Sequence, residues 1–318
     1  MKVLVTGGSG LVGSAIKSIQ DEIDNDPETV DVEWVYLSSK DCDLRDVDAV
    51  DALFAKERPE VVIHLAAHVG GLFKNLREKA TMYENNIMIN TNVLKCCSKY
   101  DVQKTVSCLS TCIFPDNSEV YPINELCLHT GAPHSSNEGY AYAKRMLDVQ
   151  SRMYRYQFDQ HFICVIPTNI YGEHDNFNLE DAHVVPALIH KCYLASKTGD
   201  FVDVKGTGKP LRQFIYAKDL ARLILWSIDK YDDAEPIILS PDESGEISIK
   251  EVAETIADAF GIKDRIRFVG GADGQYKKTA DNDKLKRLYG EELKFTPFAE
   301  GIKETVKWFI ENYETART

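Results

Sequence analysis

No apolar run in this 318-residue chain is long enough to cross a bilayer, because the best stretch, Val61 to Phe73, is interrupted by His64 and His68. Positive charge is in short supply too. Lys and Arg number 37 against 50 Asp and Glu, giving a net charge of −13, and they are scattered rather than massed. That pattern argues against a nucleic-acid-binding surface. An acidic protein that binds an anionic ligand must gather its few cations locally. The eight cysteines form no CxxC pair, and no two histidines have metal-ligand spacing with a carboxylate or cysteine partner. Neither a disulfide framework nor a metal site is therefore expected, and His64, His68, His129, His134 and His190 have no chemical context of their own. Repeats and low-complexity tracts are missing. The first residues pass straight into glycine-rich sequence with no secretory pattern, so a cytoplasmic location with reduced thiols is expected.

What the chain does have is alternation. Short β-rich runs at Lys2 to Thr6, Glu33 to Leu37, Val61 to Leu65, Thr105 to Leu109 and Phe162 to Ile166 are separated by helical stretches at Leu11 to Asp24, Val47 to Lys56, Met82 to Tyr100 and Gly139 to Tyr156. This order predicts an α/β fold, a doubly wound parallel sheet of Rossmann type. The less regular second half predicts a smaller C-terminal α/β lobe for substrate. The expected division is 1–172 for dinucleotide binding with 214–232 returning to it, and 173–213 with 233–318 for the lobe.

The opening "KVLVTGGSGLVGSAI" is a strand, a glycine turn and a helix, spaced Gly7-x-x-Gly10-x-x-Gly13. One glycine makes the tight turn, one lets backbone approach a pyrophosphate, and one packs helix on sheet. The helix start at Leu11 and Val12 then offers free N–H groups to phosphate. An acidic residue after the second strand would bind the ribose hydroxyls of NAD. Here Ser38-Ser39-Lys40 stands instead, which suits a 2′-phosphate and predicts NADPH/NADP+. Asp43 and Leu44 are expected at the adenine, and Ala66 and Ala67 along the cofactor.

In "EGYAYAKRM", Tyr140 and Lys144 are one helical turn apart and share a face. An ammonium near a phenol lowers its pKa toward a usable acid or base. Tyr142 would face away. The glycine turn, "HLAAH", Ser110 at a strand end and the Tyr140/Lys144 pair occur in that order along the chain. In this combination the sequence resembles the extended short-chain dehydrogenase/reductases, which modify nucleotide sugars, and the resemblance covers nearly the whole chain. It implies that Ser110 holds a substrate carbonyl, Tyr140 exchanges its proton, and Lys144 binds the nicotinamide ribose and tunes the tyrosine.

The block "STCIFPDN…YPINE…GYAYAKRM…IPTNIYGEHDNFN…HVVPALIHK…GTGKPLRQFIY" resembles, within that family, the epimerase-reductases acting on a GDP-4-keto-6-deoxy sugar. Dehydratase carboxylates after Ser110 are lacking. By this resemblance Cys112 removes a proton from C3 or C5 and His183 returns one. Strand-end alternation would leave Ser110 and Cys112 facing the same side. Pro167 and Thr168 are expected at the cofactor, and Asn169, His183, Lys191 and Arg212 at the GDP sugar. A homodimer is implied by analogy. Three other readings stay open at this point: a 4-reductase that does not epimerise, a UDP-sugar 4-epimerase retaining NAD, and a non-catalytic NADP-sensing protein.

Overall fold

The computed structural model describes residues 1–20, 32–271, 273 and 275–318. Among them the strands are β1 (Lys2–Thr6), β2 (Glu33–Tyr36), β3 (Val61–His64), β4 (Lys104–Cys108), β5 (Phe162–Pro167), β6 (Asn169–Tyr171), β7 (Val202–Val204), β8 (Leu211–Tyr216), β9 (Ile237–Leu239), β10 (Glu246–Ser248) and β11 (Ile266–Phe268). The main sheet has the order β2-β1-β3-β4-β5-β9, with every pair parallel. Strands β3, β4 and β5 are buried at every residue, as strands covered on both faces must be. The helix expected from Leu11 to Asp24 runs Leu11–Ser18, and residues 21–24 lie outside the described residues.

Helices cover both faces. On one, Leu11–Ser18 and Ala217–Lys230 press Val12, Ile16, Leu220 and Ile224 against Val3, Val5, Ile63 and Val165. On the other, Val47–Glu57, Lys79–Lys99 and Glu138–Phe158 set Phe54, Val93, Leu94 and Leu147 against Leu4, Val62 and Phe162. The chain turns from β1 to β2 on one side and reaches β3 on the other. A crevice therefore opens at the carboxyl ends of β1 and β3, where the two directions diverge.

The second unit holds β10-β8-β6 and β11-β7 around its own core of Phe177, Leu188, Ile189, Val252, Ile256 and Phe309. Its helix Ile249–Ala259 starts at a reciprocal cap between Ser248 and Glu251. The division expected at residue 233 does not hold here, because Ile237–Leu239 pairs with β5 as the last strand of the main sheet. Three apolar residues are too short a run to read as a strand. Glu125 Oε1 accepts the Ile238 N–H at 3.0 Å and so blunts that edge. Residues 214–216 likewise lie in β8 of the second unit, and the return to the main sheet is made by the helix that follows. No helix of the described residues is long and apolar enough to cross a membrane.

Candidate active site

The glycine turn has the geometry of a phosphate cradle. Gly7 takes φ +71°, and a Cβ there would stand 3.0 Å from the Ala66 amide nitrogen, so the β1 turn and the segment after β3 are in close contact. At Gly13 a Cβ would meet Gly8 Cα at 2.5 Å, which leaves no room for a side chain between helix and turn. Gly10 precedes Leu11–Ser18 without any side-chain cap, so Leu11 and Val12 start a helix whose first N–H groups are open to an anion. Across the crevice, Thr168 Oγ1 is buried without a hydrogen-bond partner, beside Pro167 at the end of β5. A backbone cradle and an orphaned hydroxyl at the same carboxyl edge of one parallel sheet fit a dinucleotide.

The loop after β2 is more acidic than its serines suggest. Asp41 folds back so that its Oδ2 accepts the Ser38 N–H at 2.8 Å and the Ser38 hydroxyl at 2.6 Å, and these bonds hold the carboxyl below its usual range. Ser38 is thus engaged, while Ser39 and Lys40 remain exposed. Asp43 is clamped by Arg45 through Nε and Nη2 at 2.9 and 2.8 Å, which pushes its pKa down to about 2. Leu44 is buried, and Asn92 holds its carbonyl at 3.0 Å.

Behind the cradle runs a fully buried polar chain. Thr6 Oγ1 meets His64 Nδ1 at 2.8 Å and also accepts the N–H groups of Leu65 and Ala66, and His64 Nε2 meets Asn90 Oδ1 at 3.0 Å. Burial, aided by the Lys144 charge, lowers His64 to about 3, so this ring is neutral and structural. Through Thr6 Oγ1 the chain holds the Leu65 and Ala66 amides beside Gly7.

One helix assembles the reactive groups. Glu138–Phe158 carries Tyr140 and Lys144, with the ammonium 5.8 Å from the phenol ring centre. Lys144 donates to the Cys108 carbonyl at 2.7 Å, and its neighbour Arg145 donates to the Ile113 carbonyl at 2.6 Å. These two bonds bracket residues 109–112. Between them β4 has already ended, and Thr111–Ile113 forms a 3₁₀ turn in which Ser110 Oγ accepts the Cys112 N–H at 3.3 Å. Ser110 and Cys112 are therefore brought together by a turn, not by strand alternation. Arg145 was not singled out in the sequence, although its place next to Lys144 put it on the adjoining face.

The titration pattern departs from expectation at Tyr140. Burial raises the phenol well above its ordinary range, reinforced by Cys112 and Cys108, and Lys144 does not offset it. Its ammonium is committed to a carbonyl and itself lowered by burial. Tyr140 is a firmly protonated donor. Cys112, one of two half-buried thiols among eight free cysteines, is raised by desolvation; the strongest opposing influence is the Lys278 ammonium, followed by Ser110, Lys144 and Arg145.

Lys278 was missed altogether. Its segment is fixed by the Ile123 N–H bonding Thr279 O at 2.8 Å, the Asp281 N–H bonding Ile123 O at 2.8 Å, and Arg212 donating to Gln275 O at 2.7 Å. Lys277 turns outward to Glu243 at 2.7 Å, and Lys278, the next residue, turns in. Burial lowers Lys278 to about 8, with Arg212 and Arg145 pushing the same way and Cys112 and Asp116 opposing. Removing this cation must raise the Cys112 pKa further. The Lys278→Met variant should alkylate more slowly at Cys112 with iodoacetamide at neutral pH, about tenfold for each unit of pKa gained, read site by site by mass spectrometry. An unchanged rate would remove Lys278 from the thiol's surroundings.

The remaining candidates lie on the second unit. His183 starts the helix Val184–Thr198, open to solvent yet walled by enough protein to lower its imidazole below the usual value. Asn169 donates to Gln213 O at 2.8 Å, leaving its carbonyl oxygen to a ligand. Arg212 also donates to Leu211 O at 2.6 Å, and burial lowers it. Lys191 reaches Asp203 O at 3.4 Å and is lowered by burial and by Lys205. No cluster of metal-binding side chains occurs among the described residues.

Comparison with known proteins is specific. Residues 3–239 match the NAD dependent epimerase/dehydratase family. The chain is 53% identical over 316 residues to a GDP-L-fucose synthase of Dictyostelium discoideum, covering 99% of this chain and 97% of that one. It is 47% identical over 324 residues to a probable GDP-L-fucose synthase of Drosophila melanogaster, covering 99% of each. A crystal structure of a GDP-L-fucose synthetase from Naegleria fowleri bound to NADP superposes with a TM-score of 0.92 at 51% identity, covering 100% of this chain and 95% of that one.

Proposed function

The chain belongs to the NAD dependent epimerase/dehydratase family, and from that premise we propose that it converts GDP-4-keto-6-deoxy-D-mannose to GDP-L-fucose, as a 3,5-epimerase and NADPH-dependent 4-reductase in one pocket. The observation that carries this reading beyond the resemblance is the bracketed turn. Lys144 and Arg145 pin the carbonyls on either side of Ser110 and Cys112, so a hydroxyl, a thiol and the Tyr140 phenol share one locus.

A ketone at C4 acidifies the hydrogens on C3 and C5. The Cys112 thiolate removes one, while Ser110 and Tyr140 donate hydrogen bonds to the enolate oxygen. Inversion needs the proton returned on the other face, the role assigned to His183. Its depressed pKa leaves the imidazole mostly neutral in the free protein, and the negative charge of an enolate raises it again. Bound NADPH supplies the hydride that reduces C4. Tyr140, kept protonated by burial, gives its proton to the oxygen, and Ser110 orients the carbonyl. Lys191 and Arg212 are the cations assigned to the diphosphate.

The free cysteines fit a reducing compartment, and a cytoplasmic location is part of the proposal. So is a homodimer. Met146, Met153 and Tyr156 on Glu138–Phe158 and Tyr83 and Met88 on Lys79–Lys99 are exposed on two helices packed side by side, a surface suited to a two-fold contact.

Incubation with GDP-4-keto-6-deoxy-D-mannose and NADPH in deuterium oxide tests the reading. GDP-fucose labelled at C3 and C5 is expected by NMR. Unlabelled GDP-rhamnose would reduce the protein to a plain 4-reductase, and tightly bound NAD in the purified protein would point to a 4-epimerase.

A further inference from the structure

The groups assigned to the proton transfers stand on different units, Cys112 and Tyr140 beside the main sheet and His183 at the start of the second unit's helix Val184–Thr198. Something must hold their separation constant. The segment 70–79, which includes the short helix Leu72–Arg77, touches both.

At its first end, the Gly71 N–H donates to the Asp181 carbonyl at 2.7 Å, two residues before His183. A Cβ on Gly71 would lie 2.5 Å from the Ala182 carbonyl oxygen and 3.1 Å from that of Asp181. The backbone there is φ −66°, ψ −177°, which any residue adopts, so the demand for glycine comes wholly from the loop that carries His183. Asn75 fixes the glycines by donating to Gly70 O at 2.7 Å and Gly71 O at 3.1 Å. Arg77 adds a bond to the Asp181 carboxylate at 3.3 Å, and Lys205 of the second unit lies 4.9 Å over the Phe73 ring.

At its other end the segment abuts Tyr140. A Cβ on Gly139, the residue before the tyrosine, would run into the Lys79 carbonyl oxygen. Lys79 also pairs with Glu138 at 3.6 Å. Each end of the segment thus meets a residue adjoining a reactive side chain at a contact that admits no side chain.

We propose that the segment Gly70 to Lys79 is a brace that sets the position of His183 relative to Tyr140 and Cys112, and that Gly71 is a positioning residue for the inversion step. The proposal rests on the epimerase-reductase reading above. The His183 loop is itself shaped from within, since Asn178 Oδ1 accepts the Glu180 and Asp181 N–H groups at 3.0 and 3.1 Å, and Asn178 O accepts the Ala182 N–H at 3.1 Å. Two independent variants of the segment move the same group. Gly71→Ala pushes the loop away, and Asn75→Ala frees the Gly70 and Gly71 carbonyls that set the contact.

Restoring an ordinary contact at Gly71 requires the Ala182 carbonyl to move by about an ångström, and displacements of that size cost roughly 10²-fold in a positioned reaction. Both variants should bind NADPH like the unmodified protein, because the cradle is untouched. Their rate of GDP-fucose formation in deuterium oxide should fall roughly 10- to 100-fold. With Cys112 in place, its thiol should exchange the captured hydrogen with solvent and return deuterium to the same face of C3 and C5, giving labelled product without inversion. If Gly71→Ala does not fold, Asn75→Ala decides.

Wild-type rates with GDP-fucose as the sole product in a folded variant would overturn the brace. So would a lower rate with no change in the product. Unlabelled, uninverted product from the unmodified protein would instead overturn the epimerase-reductase reading, so the two failures are distinguishable.

Discussion

The Tyr140→Phe protein is expected to lose its reductase step, with kcat for NADPH oxidation down roughly 10²- to 10⁴-fold, the range for removing a positioned acid. The ring volume is kept, so the packing around Lys144 survives, as does its bond to Cys108 O. KM for NADPH should hardly move, since the cradle at Gly7, Gly10 and Gly13 lies on another element. What disappears is the proton for the C4 oxygen. Cys112 and His183 stay in place, so deuterium should still wash into C3 and C5, and 4-keto sugars should accumulate. Tyr142→Phe is the internal control. Its ring lies beneath Arg145, 5.6 Å from the guanidinium, and offers no hydroxyl to the Ser110 turn, so its rate should stay within a few-fold. Tyr140→Phe reducing the sugar at the unmodified rate would remove the phenol from the chemistry.

Local demands were legible in the sequence and long-range ones were not. The Gly7, Gly10 and Gly13 spacing reads directly because turn, phosphate approach and helix packing are all satisfied within a dozen residues. Strands β1, β3 and β5 read as buried because each is a continuous apolar run. By contrast, "IIL" at 237–239 becomes a strand only by pairing with β5 some 70 residues earlier. Lys278 in "QYKKTAD" looks like an exposed charge, and becomes a half-buried neighbour of Cys112 only because Ile123 and Arg212 hold its segment from both sides. Ser110 and Cys112 were paired for the wrong reason, since β4 stops at Cys108 and a 3₁₀ turn does the work ascribed to a pleat. Gly71 carried no signal, because its backbone angles are ordinary and the clash lies in a loop 110 residues away.

Replacing Cys112 by alanine should separate the two activities from the other side. The turn does not depend on the thiol, because it is the Cys112 N–H that Ser110 accepts and the Ile113 carbonyl that Arg145 holds. Ser110, Tyr140 and Lys144 therefore keep their places, and reduction of the 4-keto sugar should continue within a few-fold. Epimerisation should fall roughly 10²- to 10⁴-fold, the cost of losing the positioned base. In deuterium oxide the product becomes an unlabelled, uninverted GDP-6-deoxy sugar. Acidity should drive the unmodified protein the same way. Burial raises the Cys112 pKa, so its basic form grows scarcer as pH falls, whereas Tyr140, raised well above the phenol range, stays protonated throughout. Lowering the pH therefore starves the inversion of base before it affects the proton donor of the reduction, and the share of uninverted product should rise. Lys278 bounds the effect from above: it titrates at about 8 and loses the charge that favours the thiolate as pH climbs further, so thiol and ammonium titrate as a coupled pair. Full labelling and inversion in the product of Cys112→Ala would show that some other group removes the proton, and the thiol would then be a small apolar side chain packed against the main core.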